Sequence, residues 1–579
     1  MRIAGIDCAL GAYEDAVRTR LVRLTREQAA ARLARRDPGL WPGDAQAHEA
    51  IRHRLGWLEA PAAMRARVAE LEEFAQSIAD AGFTHALLLG MGGSSLAPET
   101  MCLTYGSRPG RLELAILDNT SPHAVRWELQ RHDPAKTLVI VSSKSGGTIE
   151  VTSFERAAFE WMEKARGAEA GAAFVAITDP GTQLENLART RNYRKTFLNP
   201  PDIGGRYSAL SYFGLVPAAL IGVDLSALLD RAVAELDTAR LETDAAANPG
   251  VALGAALGEL GREGRDKLTL VLGESLEALG AWIEQLVAES TGKQGRGILP
   301  VDEEPLTDPS AYANDRVFVA VSVGEFPPPT RSALSALEAA GHPVMRWNRS
   351  SCLDLGAEFA RWEVATAIAA HGIDVNPFDE PNVSEATQST QQVLARYLER
   401  GHFEECPPLA SFGGLTACAP EAIAERLRPF VKLGEDPTSW ARALPALLEP
   451  GDYFAVLAYM TRTPERHELL QRVRLAIRDR HRVATTLGYG PRFLHSTGQF
   501  HKGGPDTGVF LQICAEKDEY PIPGERYGFK ALHRAQATGD YQVLERRGRR
   551  VLRIDLGVRD HGAALSALAD AIAGIPEDA

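Results

Sequence analysis

The sequence predicts an α/β fold built from doubly wound parallel sheets, and three observations predict it. Short runs of Val, Ile, Leu and Ala recur as unbroken apolar segments, which suits strands covered on both faces of a parallel sheet. Segments of helical period separate these runs. Loops rich in glycine and hydroxyl side chains follow two of the runs, where open α/β sheets bind ligands beyond the carboxyl ends of their strands. With 579 residues the chain is too long for one core and predicts roughly three to four domains.

Taken in order, residues 1–80 read as a helical arm, because apolar and charged residues alternate with helical period over 12–35 and 64–79. Residues 81–235 read as a first doubly wound module with strands at 85–89, 112–117, 137–141, 173–177 and 194–198. A second module, 250–400, has runs at 268–272, 317–323 and 344–347. An additional C-terminal α/β module, 401–579, has runs at 453–459, 482–487, 508–513 and 551–554. Pro407-Pro408 and the stretch 449–451 read as joins. The three modules share a strand-helix rhythm without a residue-level repeat.

Bulk composition narrows the partners. At 45% hydrophobic and 24% charged the chain is an ordinary globular protein. Its net charge of −13 argues against nucleic acid and anionic membranes as partners. Six scattered cysteines without C-x-x-C spacing read as small buried side chains in a reducing compartment. Arg18, Arg20, Arg23 and Arg26 interrupt any signal-peptide core, and no run of about 20 apolar residues exists. A cytoplasmic protein is expected.

Four loops carry chemistry. The run at 137–141 leads into Ser143, Lys144, Ser145, Gly146, Gly147 and Thr148, and an amphipathic segment follows. Strand, hydroxyl-rich loop and helix N-terminus together suit a phosphate dianion, which takes N–H and O–H donors and the positive end of a helix dipole. Lys144 adds a point charge. Gly90, Gly92, Gly93 and Ser94 follow the run at 85–89 and can face the same crevice; alone they are ordinary turn chemistry. Gly204 and Gly205 precede Arg206, whose permanent charge suits a developing oxyanion, with an interdomain ion pair as the plainer alternative.

Gln285 and Glu289 are four apart in an apolar helical stretch and so share one face. A carboxylate there, next to Gly292, can be desolvated and poised as a base. The last loop gathers His495, His501, Lys502 and three glycines. It suits acid–base or phosphate work, and it has neither metal-ligand spacing nor an acidic partner, so no metal and no cofactor are expected.

With these loops in this order the chain resembles the glucose-6-phosphate isomerase family over about residues 50–400. The motifs are those at 90–94, 143–148 and 204–208, Gln285 with Glu289, Ser290, Thr291, Gly292 and Lys293, and Asn376-Pro377-Phe378-Asp379. The resemblance implies two sugar-isomerase modules that interconvert glucose 6-phosphate and fructose 6-phosphate through a cis-enediol. It implies that Gly93 and Ser94 touch the sugar phosphate and that Ser143, Lys144, Ser145 and Thr148 hold it. Arg206 would stabilise the enediolate, Gln285 would line the site, and Glu289 would shuttle the proton.

Two departures stand out. The family places a histidine soon after its glutamate, and the window 300–330 holds none; a family-like Leu-His-Ser string occurs at Leu494, His495 and Ser496 instead. The family lysine after Asn-Pro-Phe-Asp is also missing from 383–389. Among the third-module candidates for the ring-opening acid, His495 is preferred to Lys502. The C-terminal module makes the chain most like the isomerase half of transaldolase/glucose-6-phosphate isomerase fusions, with no transaldolase half expected. A homodimer or a monomer is expected. The alternatives are an isomerase of another phosphosugar and a phosphosugar-binding regulator without turnover; the regulator calls for a basic recognition helix, which the sequence lacks.

Overall fold

The computed structural model of the chain describes residues 1–404, 406–431, 436–515, 518–557 and 561–574. Three mixed or parallel sheets, each flanked by helices, organise it. The first consists of five parallel strands in the spatial order Glu113–Leu117, His85–Leu89, Thr137–Ser142, Phe174–Thr178 and Lys195–Leu198. Counted along the chain this is order 2-1-3-4-5, which reverses direction between its first and third strands. Thr137–Ser142 is buried along its whole length, as a two-sided parallel strand must be.

The second sheet repeats that order in its parallel part: Leu299–Val301, Lys267–Leu272, Arg316–Val323 and Val344–Arg349. The third does so again, with Ala484–Tyr489, Tyr453–Tyr459, Gly508–Cys514 and Arg550–Asp555. The shared rhythm in the sequence is therefore a shared topology, 2-1-3-4, although no residue-level repeat accompanies it.

The strand runs read from the sequence fall within two residues of the observed strands. The antiparallel strands and the three-residue parallel strand Leu299–Val301 were missed. Residues 1–80 are mostly helical, but a hairpin, Arg2–Ile3 and Ile6–Ala9, adds two strands to the edge of the second sheet. A hairpin of Ala410–Phe412 and Leu415–Cys418 does the same for the third. These strands are too short for any periodicity to register.

One continuous apolar core joins the N-terminal arm and the first two sheets, and separate clusters fill the third. The third sheet is not a loose appendage. Leu299 and Val301 of the second sheet share a cluster with Tyr453, Phe500 and Phe510 of the third. Phe154 stacks on Phe529 with ring centroids 5.8 Å apart, and Asn119 donates to the Met460 carbonyl at 3.1 Å.

Candidate functional site

The two loops expected to face one crevice lie side by side at the point where the first sheet reverses strand order. One follows His85–Leu89 and the other follows Thr137–Ser142, adjacent strands of that sheet. Gly92, Gly93 and Ser94 form a tight turn. A side chain on Gly93 would lie 1.9 Å from the Gly205 carbonyl, so the Arg206 loop packs directly on this turn. Gly92, at φ +54, lies against both Gln285 and His495; a Cβ there would be 2.8 Å from Gln285 Nε2 and 3.1 Å from His495 Cβ. One glycine therefore meets groups from the second and third sheets. Ser94 is buried, and its carbonyl accepts from Ser142 at 3.2 Å.

The 143–148 loop caps the 18-residue helix Ile149–Arg166. Ser143 Oγ and Thr148 Oγ1 are 3.2 Å apart, and Ser145 Oγ is 3.5 Å from the same Thr148 oxygen. Gly146 N–H donates to Ser143 Oγ at 3.2 Å. Three hydroxyls thus converge over a helix N-terminus whose first N–H groups have no partner within the helix. Lys144 differs from expectation. Its ammonium is ion-paired with Asp179 and donates to the Pro201 carbonyl at 3.2 Å. The charge is balanced by a carboxylate just after the neighbouring strand Phe174–Thr178 and braces the loop against it, which a reading of the loop alone had no means to reveal.

Glu289 is in the last turn of the helix Leu279–Thr291, whose Leu279, Trp282, Ile283, Leu286 and Val287 are buried. The C-terminal end of a helix is the unfavourable end for a carboxylate. Burial pushes the Glu289 carboxyl up, and Arg206 opposes that rise. Arg206 Nη1 donates to Glu289 Oε1 at 3.0 Å and to Glu380 Oε2 at 3.1 Å. Its Nε donates to Ser290 Oγ at 2.8 Å, and Nη2 donates to the Pro377 and Asp379 carbonyls at 2.5 and 3.0 Å. All five guanidinium N–H groups are engaged.

The Asn-Pro-Phe-Asp turn is the cradle for the site's cations. Besides Arg206 it receives Lys293, whose Nζ donates to the Asn376 carbonyl at 2.5 Å and to Asp379 Oδ1 at 2.7 Å. Burial pushes the Lys293 amine down to about 8, with Arg206 reinforcing the fall. Gln285 Nε2 bridges Glu289 Oε2 at 3.2 Å and the His495 carbonyl at 2.8 Å. Its Oε1 is buried with no partner among the described residues.

His495 reaches this cluster from the third sheet, just after the strand Ala484–Tyr489. Its Nε2 meets Glu150 Oε1 at 3.2 Å. A carboxylate only accepts, so Nε2 carries the proton and Nδ1 is left for exchange. Burial would lower the imidazole's proton affinity, but Glu150, Glu289 and Asp118 outweigh it and the net shift is upward. The following segment is locked onto the Glu289 helix: Gln499 Nε2 donates to the Gly292 carbonyl at 2.9 Å and to Asn382 Oδ1 at 2.7 Å.

Lys502 does not join them. It is fully buried and paired with Asp540 at 2.6 Å, and it donates to the Gly498 carbonyl at 3.4 Å. A buried ammonium takes the nearest carboxylate, and here that is a structural one. His501 also serves structure, with Nδ1 2.9 Å from the Tyr453 hydroxyl. Sequence reasoning gave no role to Glu150 or Glu380, and it quoted Lys293 only as part of a motif. Glu150 stood in plain view, two residues after Thr148 of the hydroxyl-rich loop, but nothing local marked it as the partner of a histidine 345 positions away.

A glycine- and hydroxyl-lined crevice at a strand-order reversal, with a buried carboxylate, guanidinium and imidazole gathered beside it, defines an α/β enzyme of the sugar-isomerase type. The phosphoglucose isomerase family model matches residues 61–297. The chain is 31% identical over 373 residues to a glucose-6-phosphate isomerase of Rubrobacter xylanophilus, covering 56% of this chain and 85% of that protein. It is 27% identical over 391 residues to one from Prochlorococcus marinus, covering 60% and 71%. Among solved structures, a glucose-6-phosphate isomerase from Chlamydia trachomatis shares the fold at TM-score 0.54 and 20% identity, over 69% of this chain and 90% of that one. This chain belongs to the phosphoglucose isomerase family. Among the described residues no helix is long and apolar enough to cross a membrane.

Proposed function

We propose that this chain interconverts glucose 6-phosphate and fructose 6-phosphate through a cis-enediolate. The observation that carries the reading is Glu289, a buried carboxylate held by Arg206 and by Gln285, with His495 attached to the same Gln285.

Ser143, Ser145, Thr148 and the helix N-terminus behind them take the phosphate, with Gly93 and Ser94 alongside. Lys144 acts by bracing the loop through Asp179. Anchoring the phosphate spends binding energy on orienting C1 and C2. His495, charged through Glu150, gives the Nδ1 proton to the ring oxygen and opens the sugar. Glu289 then removes the C2 proton and returns it to C1. Because every Arg206 N–H is engaged at rest, Nη1 becomes available to the enediolate oxygen as Glu289 turns to the substrate, so base and oxyanion partner are released by one movement. Lys502 takes no part.

The likeness to the isomerase half of transaldolase fusions belongs to this reading, supported by the family-like string around His495 in a third sheet. The cytoplasm is the compartment it implies. The test is conversion of fructose 6-phosphate by the purified chain in deuterium oxide. Turnover with solvent deuterium entering at C2 of the aldose supports an enediolate; binding of the phosphosugar without turnover would favour the regulator instead.

A further inference from the structure

Glu150 is 4% exposed, and a carboxylate so far from water needs donors from the protein. His495 supplies one to Oε1, and Gln536 supplies a second to the same oxygen, Nε2 donating at 2.7 Å. Gln536 is in the middle of the helix Phe529–Arg546, between Ala535 and Ala537, and is 1% exposed. A buried amide in that setting costs stability unless both its ends are satisfied. The other end is satisfied by Thr120, whose hydroxyl donates to Gln536 Oε1 at 2.6 Å and also lies 3.0 Å from His533 Nδ1 on the same helix. That bond decides which way the amide faces. With Oε1 turned to Thr120, the NH₂ group faces Glu150; the flipped amide would set oxygen against carboxylate.

Thr120 follows the strand Glu113–Leu117 of the first sheet, and Glu150 is on the helix that begins at the phosphate loop. Gln536 and His495 come from the third sheet. The chain Thr120, Gln536, Glu150, His495 therefore runs across the junction of two sheets and ends on the imidazole.

We propose that Gln536 is a positioning residue for His495: oriented by Thr120, it holds the Glu150 carboxylate against the imidazole and sets how firmly that imidazole keeps its proton. The inference rests on the reading of His495 as the ring-opening acid. Two donors share one carboxylate oxygen, so the neutral amide tempers the pull of Glu150 on the imidazolium. The other charges facing His495 are Glu289 from the second sheet and Asp118 from the first. Asp118 is itself held by Arg492 at 3.3 Å and by Ser95 at 3.2 Å. None of these touches Gln536, so a change there acts through Glu150.

The experiment measures turnover of fructose 6-phosphate against pH, with melting temperatures, for the full chain and for Gln536→Leu, Gln536→Glu and Thr120→Val. Losing a hydrogen bond to a charged group should lower kcat about tenfold in Gln536→Leu while KM stays nearly constant. The alkaline limb, where the acid loses its proton, should move upward, and further upward in Gln536→Glu, which adds a second carboxyl beside Glu150. Thr120→Val, which frees the amide to flip, should move the limb in the same direction by less. Should Gln536→Leu fail to fold, the isosteric Gln536→Glu and the peripheral Thr120→Val carry the same test. Lower melting temperatures with unmoved pH limbs would reduce the network to a structural bolt and overturn the proposal. His495→Ala separates the two levels: if it is inactive while the Gln536 variants keep wild-type profiles, only this inference fails, and if it is fully active, the reading of His495 fails first.

Discussion

Arg206 and Glu289 are bonded at 3.0 Å, and the same Arg206 nitrogen also holds Glu380 at 3.1 Å. One buried guanidinium thus serves two carboxylates from different helices. The second of these, Glu380, just ahead of the helix Pro381–Arg400, is held below the usual carboxylate range because Arg206, Arg54 and Lys293 together outweigh the burial that would raise it. Glu380 stays ionised and keeps Arg206 compensated when Glu289 moves or takes a proton. On the proposed role of Glu289 as the base, this arrangement would let it work beside its own counter-charge without leaving that charge uncompensated.

Replacing Glu289 with Gln keeps the volume and removes the basic site. Turnover should fall by roughly 10²–10⁴-fold, the range general-base removal commonly gives, while phosphosugar binding persists. Steady-state kinetics with calorimetric binding of a non-isomerisable phosphosugar checks both halves. Near-wild-type turnover would remove Glu289 from the mechanism.

Thr148→Val deletes one hydroxyl at the phosphate loop and keeps the β-branched shape. A hydrogen bond to a charged group contributes about 1.5–3 kcal/mol, so KM and the inhibition constant of inorganic phosphate should each rise about tenfold or more. Lys144→Ala and Asp179→Asn should resemble one another, since each breaks the same brace. A phosphate affinity that survives Thr148→Val intact would place the anion elsewhere.

The Glu150–His495 pair predicts a pH window for stability. The imidazole's folded affinity for protons is raised, so its contribution is full below the unfolded histidine value of about 6.5 and is lost as pH climbs through the folded value. Burial would raise the carboxyl, but His495 with the Gln536 and backbone hydrogen bonds holds it low, so its contribution is full above about 4.3 and is lost on acidification. The stability difference between wild type and His495→Gln should therefore peak between those two values. Melting temperatures taken across pH 4–9 test this, and a pH-independent difference would show that the pair is not ionic.

Lys502→Ala leaves Asp540 buried without its cation, which typically costs about 3–5 kcal/mol. The chain should be strongly destabilised or poorly folded. Replacing both partners with apolar residues, Lys502→Met with Asp540→Leu, should recover most of that loss and with it turnover. A stable double variant without turnover would return Lys502 to the active site.

How much was legible varied with the range of the interaction. The strands Thr137–Ser142 and Tyr453–Tyr459 announced themselves by unbroken apolar runs, Leu138 to Val141 in the first and the whole of the second. The hydroxyl loop before Ile149–Arg166 was equally plain, since its serines, glycines and threonine are consecutive residues. The hairpin at Arg2–Ile3 and Ile6–Ala9 was not, because edge strands of two and four residues borrow their order from the sheet they join.

By itself the sequence determined the α/β class, the strand cores, the hydroxyl-rich loop at a helix start, and the fact that Gln285 and Glu289 share a helix face. Those follow from periodicity and neighbouring residues. Only the tertiary structure decided which charges face which. It gave Lys144 to Asp179 and Lys502 to Asp540, brought His495 to Glu150 across 345 positions, and filled every N–H of Arg206. The reason is physical: a helix or strand is specified within a few residues, whereas the partner of a buried charge is whatever opposite charge the completed packing leaves within about 4 Å.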